Sequence, residues 1–262
     1  MSIISSYSQQ FFILLKILKR VYEMNIVIKS FIFNVLFYGW TFFCLLAFVP
    51  LLICPGRYMV SGIRFWVKGL SWINVHVLNL HFEIVGLENL PSSPFILASK
   101  HQSAWETFVF HALFDDIAIV FKKELMWIPF FGWYLRKSGA IPLSRSRKKG
   151  PQSLKKLLTY ARSAVEKERP ILIFPEGTRS HPGQAGTYRS GVASLYLHLN
   201  VPVVPIALNS GLYWPRRSFR KYPGTITVAF LDPIKPGLSR QNFMKKLKQD
   251  IESKTQMLVN KG

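Results

Sequence analysis

The sequence predicts an α/β domain with a mostly parallel or mixed central sheet flanked by helices, preceded by an N-terminal membrane-associated helical hairpin. Two observations support this prediction. Residues 30–56 carry no formal charge, and beyond residue 80 short apolar runs alternate with helix-like segments. Such alternation is typical of a sheet that helices cover on both faces. We therefore expect residues 1–80 to form a membrane-anchoring segment and residues 81–262 to form the α/β domain.

The N-terminal apolar run is long enough to cross a bilayer, since about 20 apolar residues suffice. Pro55 and Gly56 form a natural break before residues 57–80, in which apolar residues recur at roughly helical spacing. A hairpin that dips into one leaflet is one interpretation. A single crossing and a buried core helix stay open. Residues 1–23 are either a short basic amphipathic anchor or sequence upstream of a start at Met24.

The α/β part contains seven apolar runs that predict strands and five segments that predict helices. Turn residues separate these segments, as expected for short strands joined to helices. The predicted strands cover residues 81–86, 95–99, 117–121, 140–144, 171–175, 201–208 and 225–231. The predicted helices cover residues 103–114, 125–137, 151–168, 187–199 and 240–258.

The net charge and the hydrophobic fraction of the chain indicate which classes of molecule it can bind. The chain has 262 residues, with 34 Lys and Arg against 13 acidic residues, so its net charge is +21. This excess favours nucleic acid, an anionic membrane surface or phosphate-bearing substrates. Hydrophobic residues make up 49% of the chain, which is too apolar for a typical soluble nucleic-acid binder, and no nucleic-acid motif is present. Cys44 and Cys54 give neither a disulfide framework nor zinc-ligand spacing.

The stretch KHQSAWETF places His101 after the second predicted strand, at the sheet edge where open α/β folds bind ligands. In one continuous helix, His101 and Glu106 would point about 140° apart. Contact therefore requires His101 to lie in the turn before the helix. Two interpretations stay open: Ser103 and Glu106 form a capping box, or Glu106 orients His101 as a general base. No nucleophile-elbow motif lies nearby, so a substrate hydroxyl or water would attack directly.

The stretch ILIFPEGTRS (171–180) indicates a buried strand followed by a turn with binding potential. A glycine permits close approach of the backbone, a threonine offers a hydroxyl, and an arginine suits phosphate or carboxylate. The candidate residues are Glu176, Gly177, Thr178 and Arg179. The alternative is a tight turn in which Glu176 and Arg179 pair with each other.

Two more basic residues, Lys122 and Arg145, follow the third and fourth predicted strands. If the strands run parallel, their carboxyl ends meet at one edge of the sheet. Lys122 and Arg145 would then share one basic pocket with His101 and Arg179. The alternative is that these are solvated surface charges.

Taken together, four segments resemble the glycerolipid acyltransferase family, specifically its bacterial-type 1-acylglycerol-3-phosphate (lysophosphatidic acid) acyltransferases. That family carries H-x4-D, a Lys- and Arg-bearing block, F-P-E-G-T-R-S and V-P-[IV]-x-P. Here the blocks read HQSAWE, FKKEL…GAIPLSR, FPEGTRS and VPVVP, in the same order. The resemblance covers about residues 80–210. It departs from the family at Glu106, where aspartate is usual.

The resemblance implies acyl transfer without a metal or bound cofactor. His101, supported by Glu106, would take the proton from the sn-2 hydroxyl of lysophosphatidate as that hydroxyl attacks an acyl thioester, giving phosphatidic acid. Acyl-CoA or acyl carrier protein would be the cosubstrate, and its negative charge suits the basic segments 145–149 and 216–221. The residues implied to receive or shape the phosphate site are Lys122, Arg145, Glu176, Gly177, Thr178 and Arg179.

The same resemblance implies a location at the cell inner (cytoplasmic) membrane, with the catalytic domain facing the cytosol, because substrate and product both reside in the bilayer. Two other functions stay open. One is acyl transfer to a different lyso-lipid by the same chemistry. The other is a non-catalytic membrane protein that binds phospholipid.

Overall fold

The computed structural model describes residues 2–92, 94–144 and 150–261. In this part of the chain seven strands form one sheet, and each overlaps a predicted strand. The strands are β1 (Leu80–Val85), β2 (Ile96–Ser99), β3 (Ala118–Lys122), β4 (Ile141–Leu143), β5 (Ile171–Ile173), β6 (Val203–Leu208) and β7 (Gly224–Phe230).

The sheet is mixed, with the order β1-β7-β6-β2-β5-β3-β4. The five strands from β6 to β4 pair parallel with their neighbours. The pair β6–β7 is antiparallel, and β1 runs parallel to β7. The carboxyl ends of β2, β3, β4, β5 and β6 therefore lie at one edge of the sheet, which is where ligands bind in open α/β folds.

Helices cover both faces of the sheet. They are α1 (Ser2–Ala47), α2 (Gly56–Ile73), α3 (Glu106–Leu113), α4 (Phe131–Lys137), α5 (Gly150–Glu166), α6 (Gly191–Leu199), α7 (Ser210–Tyr213) and α8 (Arg240–Lys261). On one face, α1, α2 and α3 contribute buried residues to a core that includes Phe33, Leu70 and Phe110. On the other face, α5, α6 and α8 build a second core around Leu157, Leu195 and other aliphatic side chains.

The helix predicted over residues 125–137 is wrong in part. A 3-10 helix over Lys123–Trp127 precedes the shorter α4. Pro129 lies between them, where it lacks the N–H that a continuous helix needs and disfavours helical backbone in the residue before it. Phe130 adopts a positive φ of 60° at the corner. The result is a projecting corner with exposed aromatic side chains instead of one straight helix.

The N-terminal helices form an antiparallel hairpin. The chain reverses through a 3-10 helix over Val49–Leu52 and the break at Pro55. Across the hairpin, Trp40 Nε1 donates to the Trp66 carbonyl at 3.0 Å, and Trp66 Nε1 donates to Thr41 Oγ1 at 3.1 Å. These bonds and the shared core hold the hairpin against the α/β body.

Helix α1 is longer than the predicted hairpin arm. Among the described residues, the part of α1 from Leu15 to Ala47 is the one helical stretch long and apolar enough to cross a membrane. Many of its apolar side chains, including Phe31, Val35 and Tyr38, are exposed. However, the α/β body holds the same stretch at both ends: Arg220 pairs with Glu23, and the Tyr134 hydroxyl donates to the Leu45 carbonyl.

Candidate active site

His101 lies in the loop between β2 and α3, at the carboxyl edge of the parallel strands. The Lys100 N–H donates to the Ile206 carbonyl at 2.9 Å, so pairing with β6 continues up to the residue before His101. Because α3 begins only at Glu106, the loop folds back onto it. His101 Nδ1 lies 3.0 Å from Glu106 Oε1. The predicted contact between these side chains is therefore present in the structure.

The Glu106 carboxylate is fully buried and accepts hydrogen bonds on both oxygens. Oε1 accepts the N–H groups of Gln102 and Ser103, each at 2.6 Å, besides its contact with His101. Oε2 accepts the Ser210 hydroxyl at 2.8 Å. Ser103 Oγ in turn accepts the Trp105 N–H. Only one of the two bonds of a capping box is present, because Glu106 accepts the Ser103 N–H while Ser103 Oγ accepts from Trp105 and not from Glu106. Helix α3 begins at Glu106 with Trp105 as its N-cap, so Ser103 as the helix N-cap is wrong, whereas the pairing with His101 is present.

These contacts fix the orientation of the His101 ring. Its Nδ1 atom faces a carboxylate, so the ring proton belongs on Nδ1 and leaves the Nε2 lone pair free. The ring also stacks on Phe174, with centroids 4.3 Å apart. Only 13% of the side chain is exposed, and it lines a cavity. An imidazole held in this orientation is able to accept a proton from a group bound in the cavity.

The second predicted loop turns sharply after β5 and lies against the histidine loop. The Gly177 N–H donates to the Phe174 carbonyl at 2.9 Å, and Gly177 has a positive φ of 66°, which favours glycine. The Ser180 N–H donates to the His101 carbonyl at 2.8 Å. Thr178 and Arg179 line the same cavity as His101.

Glu176 differs from its predicted position. Its side chain is buried behind the loop and does not line the cavity. Oε1 lies 2.7 Å from Lys100 Nζ, and Oε2 accepts the His101 N–H at 2.9 Å. The alternative pairing of Glu176 with Arg179 is therefore wrong, because Lys100 and the His101 backbone occupy the carboxylate. That Glu176 shapes the phosphate site stays a prediction.

The cavity has a volume of about 430 Å³ and is lined by both polar and apolar side chains. The polar lining includes His101, Thr178 and Arg179, together with Arg216 and Arg217. The apolar part of the cavity, here called the apolar chamber, is formed by the hairpin, α3 and α4, and it is lined by Leu45, Phe48, Ile63, Trp66, Phe108, Phe131 and Leu135, among others. The cavity therefore joins the polar edge of the sheet to the hairpin, whose helix α1 carries exposed apolar side chains.

Burial and crowding of positive charge affect Arg179. Desolvation by burial lowers the pKa of Arg179, as do Arg216 and Arg217, while Glu106 opposes this shift. Arg216 also donates from Nη1 to the Arg179 carbonyl at 2.6 Å. Lys122 lines the cavity too, although its side chain is about half exposed. Arg145 lies outside the described residues.

The arrangement brings together an unprotonated imidazole nitrogen, a cluster of guanidinium groups and an apolar chamber. A base, an anion site and a site for hydrocarbon together suit chemistry on an amphiphile that carries a negative charge. In the described ranges, no three His, Cys, Asp or Glu side chains are grouped so that they would hold a metal ion.

Comparison with known proteins assigns the chain to a family. An acyltransferase family model matches residues 81–209, which include both loops of the site. A 1-acyl-sn-glycerol-3-phosphate acyltransferase from Pseudomonas aeruginosa is 40% identical over 179 residues, which cover 68% of this chain and 68% of that protein. The chain belongs to this acyltransferase family. A chloroplastic 1-acyl-sn-glycerol-3-phosphate acyltransferase from Brassica napus is 34% identical over 61% of this chain but only 46% of its own length.

The acyltransferase fold extends beyond the matched family region. The crystal structure of the 1-acyl-sn-glycerophosphate (LPA) acyltransferase PlsC from Thermotoga maritima superposes with a TM-score of 0.72 and 20% identity. The match covers 88% of this chain and 96% of that chain. At this identity the likeness establishes a shared fold, and it confirms the predicted α/β class.

Some polar residues of this acyltransferase site escaped sequence reasoning. Lys100 and Ser210 were not predicted, because each contacts partners that are distant along the chain. Arg216 and Arg217 were expected on a basic surface for the acyl carrier, but they line the cavity. One signal was available: β6 ends on the same edge as β2 and β5, so polar residues soon after it were candidates for the site.

Proposed function

We propose that this chain transfers an acyl group from acyl-CoA or acyl carrier protein to the sn-2 hydroxyl of 1-acyl-glycerol-3-phosphate, giving phosphatidic acid. The observation that carries the proposal is His101, paired with Glu106 at 3.0 Å, in the wall of a cavity that is also lined by arginines and apolar side chains. The names of the relatives support the acceptor, since those proteins are 1-acyl-sn-glycerol-3-phosphate acyltransferases.

In the proposed mechanism, His101 Nε2 accepts the proton of the sn-2 hydroxyl as the oxygen attacks the thioester carbonyl carbon. Glu106 holds the ring and stabilises the imidazolium that forms. The new C–O bond forms, the C–S bond breaks, and the departing thiolate takes the proton back from His101. The products are phosphatidate and the free thiol of the carrier. Direct attack needs no protein nucleophile.

The rest of the cavity supplies binding and position. Arg179 would bind the acceptor phosphate with Lys122, and Thr178 and Gly177 would shape the approach to it, since arginine suits phosphate oxygens. The same role for Arg145 is part of the proposal. Glu176 acts from behind, where it holds the His101 backbone. The apolar chamber takes hydrocarbon, so binding there holds the reacting hydroxyl near His101.

We also propose that residues 1–80 anchor the chain and residues 81–262 form the acyltransferase domain, at the inner membrane with the site facing the cytosol. The exposed apolar side chains of α1 support an anchor. Ion pairing and hydrogen bonding of the same helix to the body at Glu23 and Leu45 favour a hairpin in one leaflet over a free crossing. The basic segments 145–149 and 216–221 would add electrostatic attraction to anionic lipid.

The test is acyl transfer from labelled acyl-CoA and, separately, acyl carrier protein to lysophosphatidate in detergent. Wild type is compared with His101→Ala and with His181→Ala, an exposed histidine that does not line the cavity. We expect transfer by wild type and His181→Ala and its loss in folded His101→Ala. Equal transfer by His101→Ala would contradict the mechanism. Acyl transfer to another lyso-lipid and not to lysophosphatidate would show that the proposed acceptor is wrong. Binding of lipid without any acyl transfer would favour a non-catalytic role.

A further inference from the structure

The segment after α7 brings two arginines into the wall of the cavity. Pro215, Arg216 and Arg217 lie beyond the end of the family-model match at residue 209. Arg216 and Arg217 line the cavity as Arg179 does, and Arg216 donates to the Arg179 carbonyl. Arg217 has a positive φ of 58°. A non-glycine residue in this region is strained, and such strain concentrates at binding sites and active sites.

Within residues 2–92, 94–144 and 150–261, the guanidinium groups of Arg179, Arg216 and Arg217 form no ion pair with a carboxylate. The nearby carboxylate of Glu106 already accepts four hydrogen bonds. Like charges held together in a partly buried site repel one another. A bound anion would remove this repulsion and satisfy the N–H groups of the guanidinium ions.

The position of the segment indicates which anion reaches it. The residues that follow lie along α1: the Lys221 N–H donates to Ser30 Oγ at 2.9 Å, and Arg220 Nη1 lies 2.7 Å from Glu23. The same part of α1 exposes Phe31 to the extent of 60%. The segment that carries the arginine pair therefore packs against the apolar helix. An anion that is part of a lipid bound along α1 would lie near these arginines.

We infer that Arg216 and Arg217, together with Arg179, form the subsite for the phosphate monoester of the lyso-lipid acceptor. This inference rests on the proposed function and adds two residues from outside the matched family region. A phosphate monoester presents three oxygens, which matches several guanidinium forks better than a single one. The subsite would place the phosphate beside the loop that carries Arg179, with the glycerol directed toward His101.

The test compares Arg217→Asn, Arg216→Gln/Arg217→Asn and the control Arg162→Gln. Asparagine tolerates a positive φ, so the first variant keeps the backbone. Arg162 is exposed on α5, which packs on the second core, and it does not line the cavity. At saturating donor, we expect kcat/KM for lysophosphatidate to fall about 10- to 100-fold in the double variant, as expected for lost charge-assisted hydrogen bonds. The KM of the double variant for the donor and the kcat/KM of Arg162→Gln should stay within about twofold of wild type.

Two results would overturn the inference. A rise in the KM for the donor alone would assign the arginines to the phosphate of the carrier. An unchanged kcat/KM for lysophosphatidate would remove them from phosphate binding. Equilibrium binding separates this inference from the proposed function, because it needs no turnover. In a His101→Ala background, the arginine pair should make binding of 1-acylglycerol 3-phosphate stronger than that of 1-acylglycerol, and Arg217→Asn should reduce this preference. If both lipids bind equally, the subsite does not exist.

Discussion

The ammonium group of Lys100 lies 2.7 Å from the Glu176 carboxylate, and neither side chain is accessible to solvent. Lys100 Nζ also donates to Glu252 Oε1 and Oε2, at 2.8 and 2.9 Å, and to the Gln184 carbonyl at 3.1 Å. Glu176 in turn accepts the His101 N–H. One buried cation therefore joins the loop after β5, helix α8 and the residue next to the proposed base.

Lys100→Met should destabilise the protein and reduce turnover. Removing one partner of a buried ion pair leaves carboxylates without a counter-charge, which costs about 3–5 kcal/mol. The backbone of His101 would lose its support when Glu176 moves. We expect a lower thermal midpoint in detergent together with a lower kcat.

A second variant separates this charge effect from simple loss of packing. Lys100→Met/Glu252→Gln removes one of the two unpaired carboxylates, so it should recover part of the stability lost in Lys100→Met. Lys245→Met, on the exposed face of α8, is the matched control and should change stability by less than about 0.5 kcal/mol. If the double variant is no more stable than Lys100→Met, the ion network is not the cause.

Ser210→Ala should lower turnover and also the stability of the fold, because it leaves one oxygen of a buried carboxylate without its donor. The Ser210 hydroxyl is the side-chain donor to Glu106 Oε2, at 2.8 Å, and both residues are fully buried. A hydrogen bond to a charged group contributes about 1.5–3 kcal/mol. We expect kcat to fall about tenfold or more, because Glu106 would hold His101 less firmly.

Ser194→Ala provides the comparison, since Ser194 is a buried serine on α6 that bonds the Ser190 carbonyl away from the site. Its kcat should match wild type. The kcat of Ser210→Cys should lie between those of wild type and Ser210→Ala, because a thiol is a weak hydrogen-bond donor. Equal kcat for all three variants and wild type would exclude a positioning role for Ser210.

Local patterns in the sequence predicted the sheet and the His–Glu contact because both depend on short-range features. Alternating apolar runs identified the strands, and the position of His101 before a helix start allowed Glu106 to reach back. The helix over 125–137 failed at Pro129, which interrupts a pattern that is otherwise helical. The short helix α7 spans four residues, too few to show helical periodicity.

Long-range partners explain the errors in the site. Glu176 lies only three positions before Arg179, so the sequence places both at the same phosphate site. Its actual partner, Lys100, is 76 positions away, and Glu252 is 152 positions from Lys100. No local pattern indicates that these charges meet in the interior, because only the order of the strands and the docking of α8 bring them together.

His111 should make stability depend on pH below neutrality. This histidine on α3 lines the cavity, and burial lowers the pKa of His111 from 6.5 to about 4, with Asp116 opposing and Arg169 adding to the shift. In the unfolded chain the imidazole gains a proton near pH 6.5, while in the folded chain it stays neutral. The contribution of His111 to the free energy of unfolding therefore has its full value above pH 6.5. This contribution decreases as the pH falls from 6.5 to 4, by about 3 kcal/mol in total.

His111→Leu should remove this part of the pH dependence. Urea unfolding in detergent between pH 7 and 4.5 gives the free energy of unfolding at each pH. Over this range the free energy of unfolding should decrease by about 2 kcal/mol less in His111→Leu than in wild type. His181→Leu, at an exposed histidine, should follow the wild-type curve. Parallel curves for wild type and His111→Leu would show that His111 does not titrate differently in the folded state.

The last prediction concerns the exposed corner before α4 and the tip of the hairpin. Trp127 is 81% exposed and Ile53 is 91% exposed. The hairpin tip contacts α4, because Leu52 and Trp133 line one groove, so the two apolar side chains belong to adjoining surfaces. Lys122 and Lys123 precede Trp127 by five and four positions in the sequence, and Arg136 and Lys137 line the groove with Trp133. Aromatic residues next to basic ones are typical of surfaces that enter the headgroup region of a bilayer.

Trp127→Ala and Ile53→Ser should therefore each weaken binding to vesicles that contain anionic phospholipid, by about tenfold for an apolar side chain worth about 1.5–3 kcal/mol when buried. Co-sedimentation with vesicles measures the partition coefficient. Tyr160→Ala is the control, since Tyr160 is a half-exposed aromatic on α5, across the sheet from the hairpin. Its partition coefficient should stay unchanged. An equal decrease of the partition coefficient in all three variants would mean that vesicle binding depends on the general stability of the protein. An unchanged partition coefficient in Trp127→Ala would show that the corner stays in water and that α1 and α2 make the membrane contact.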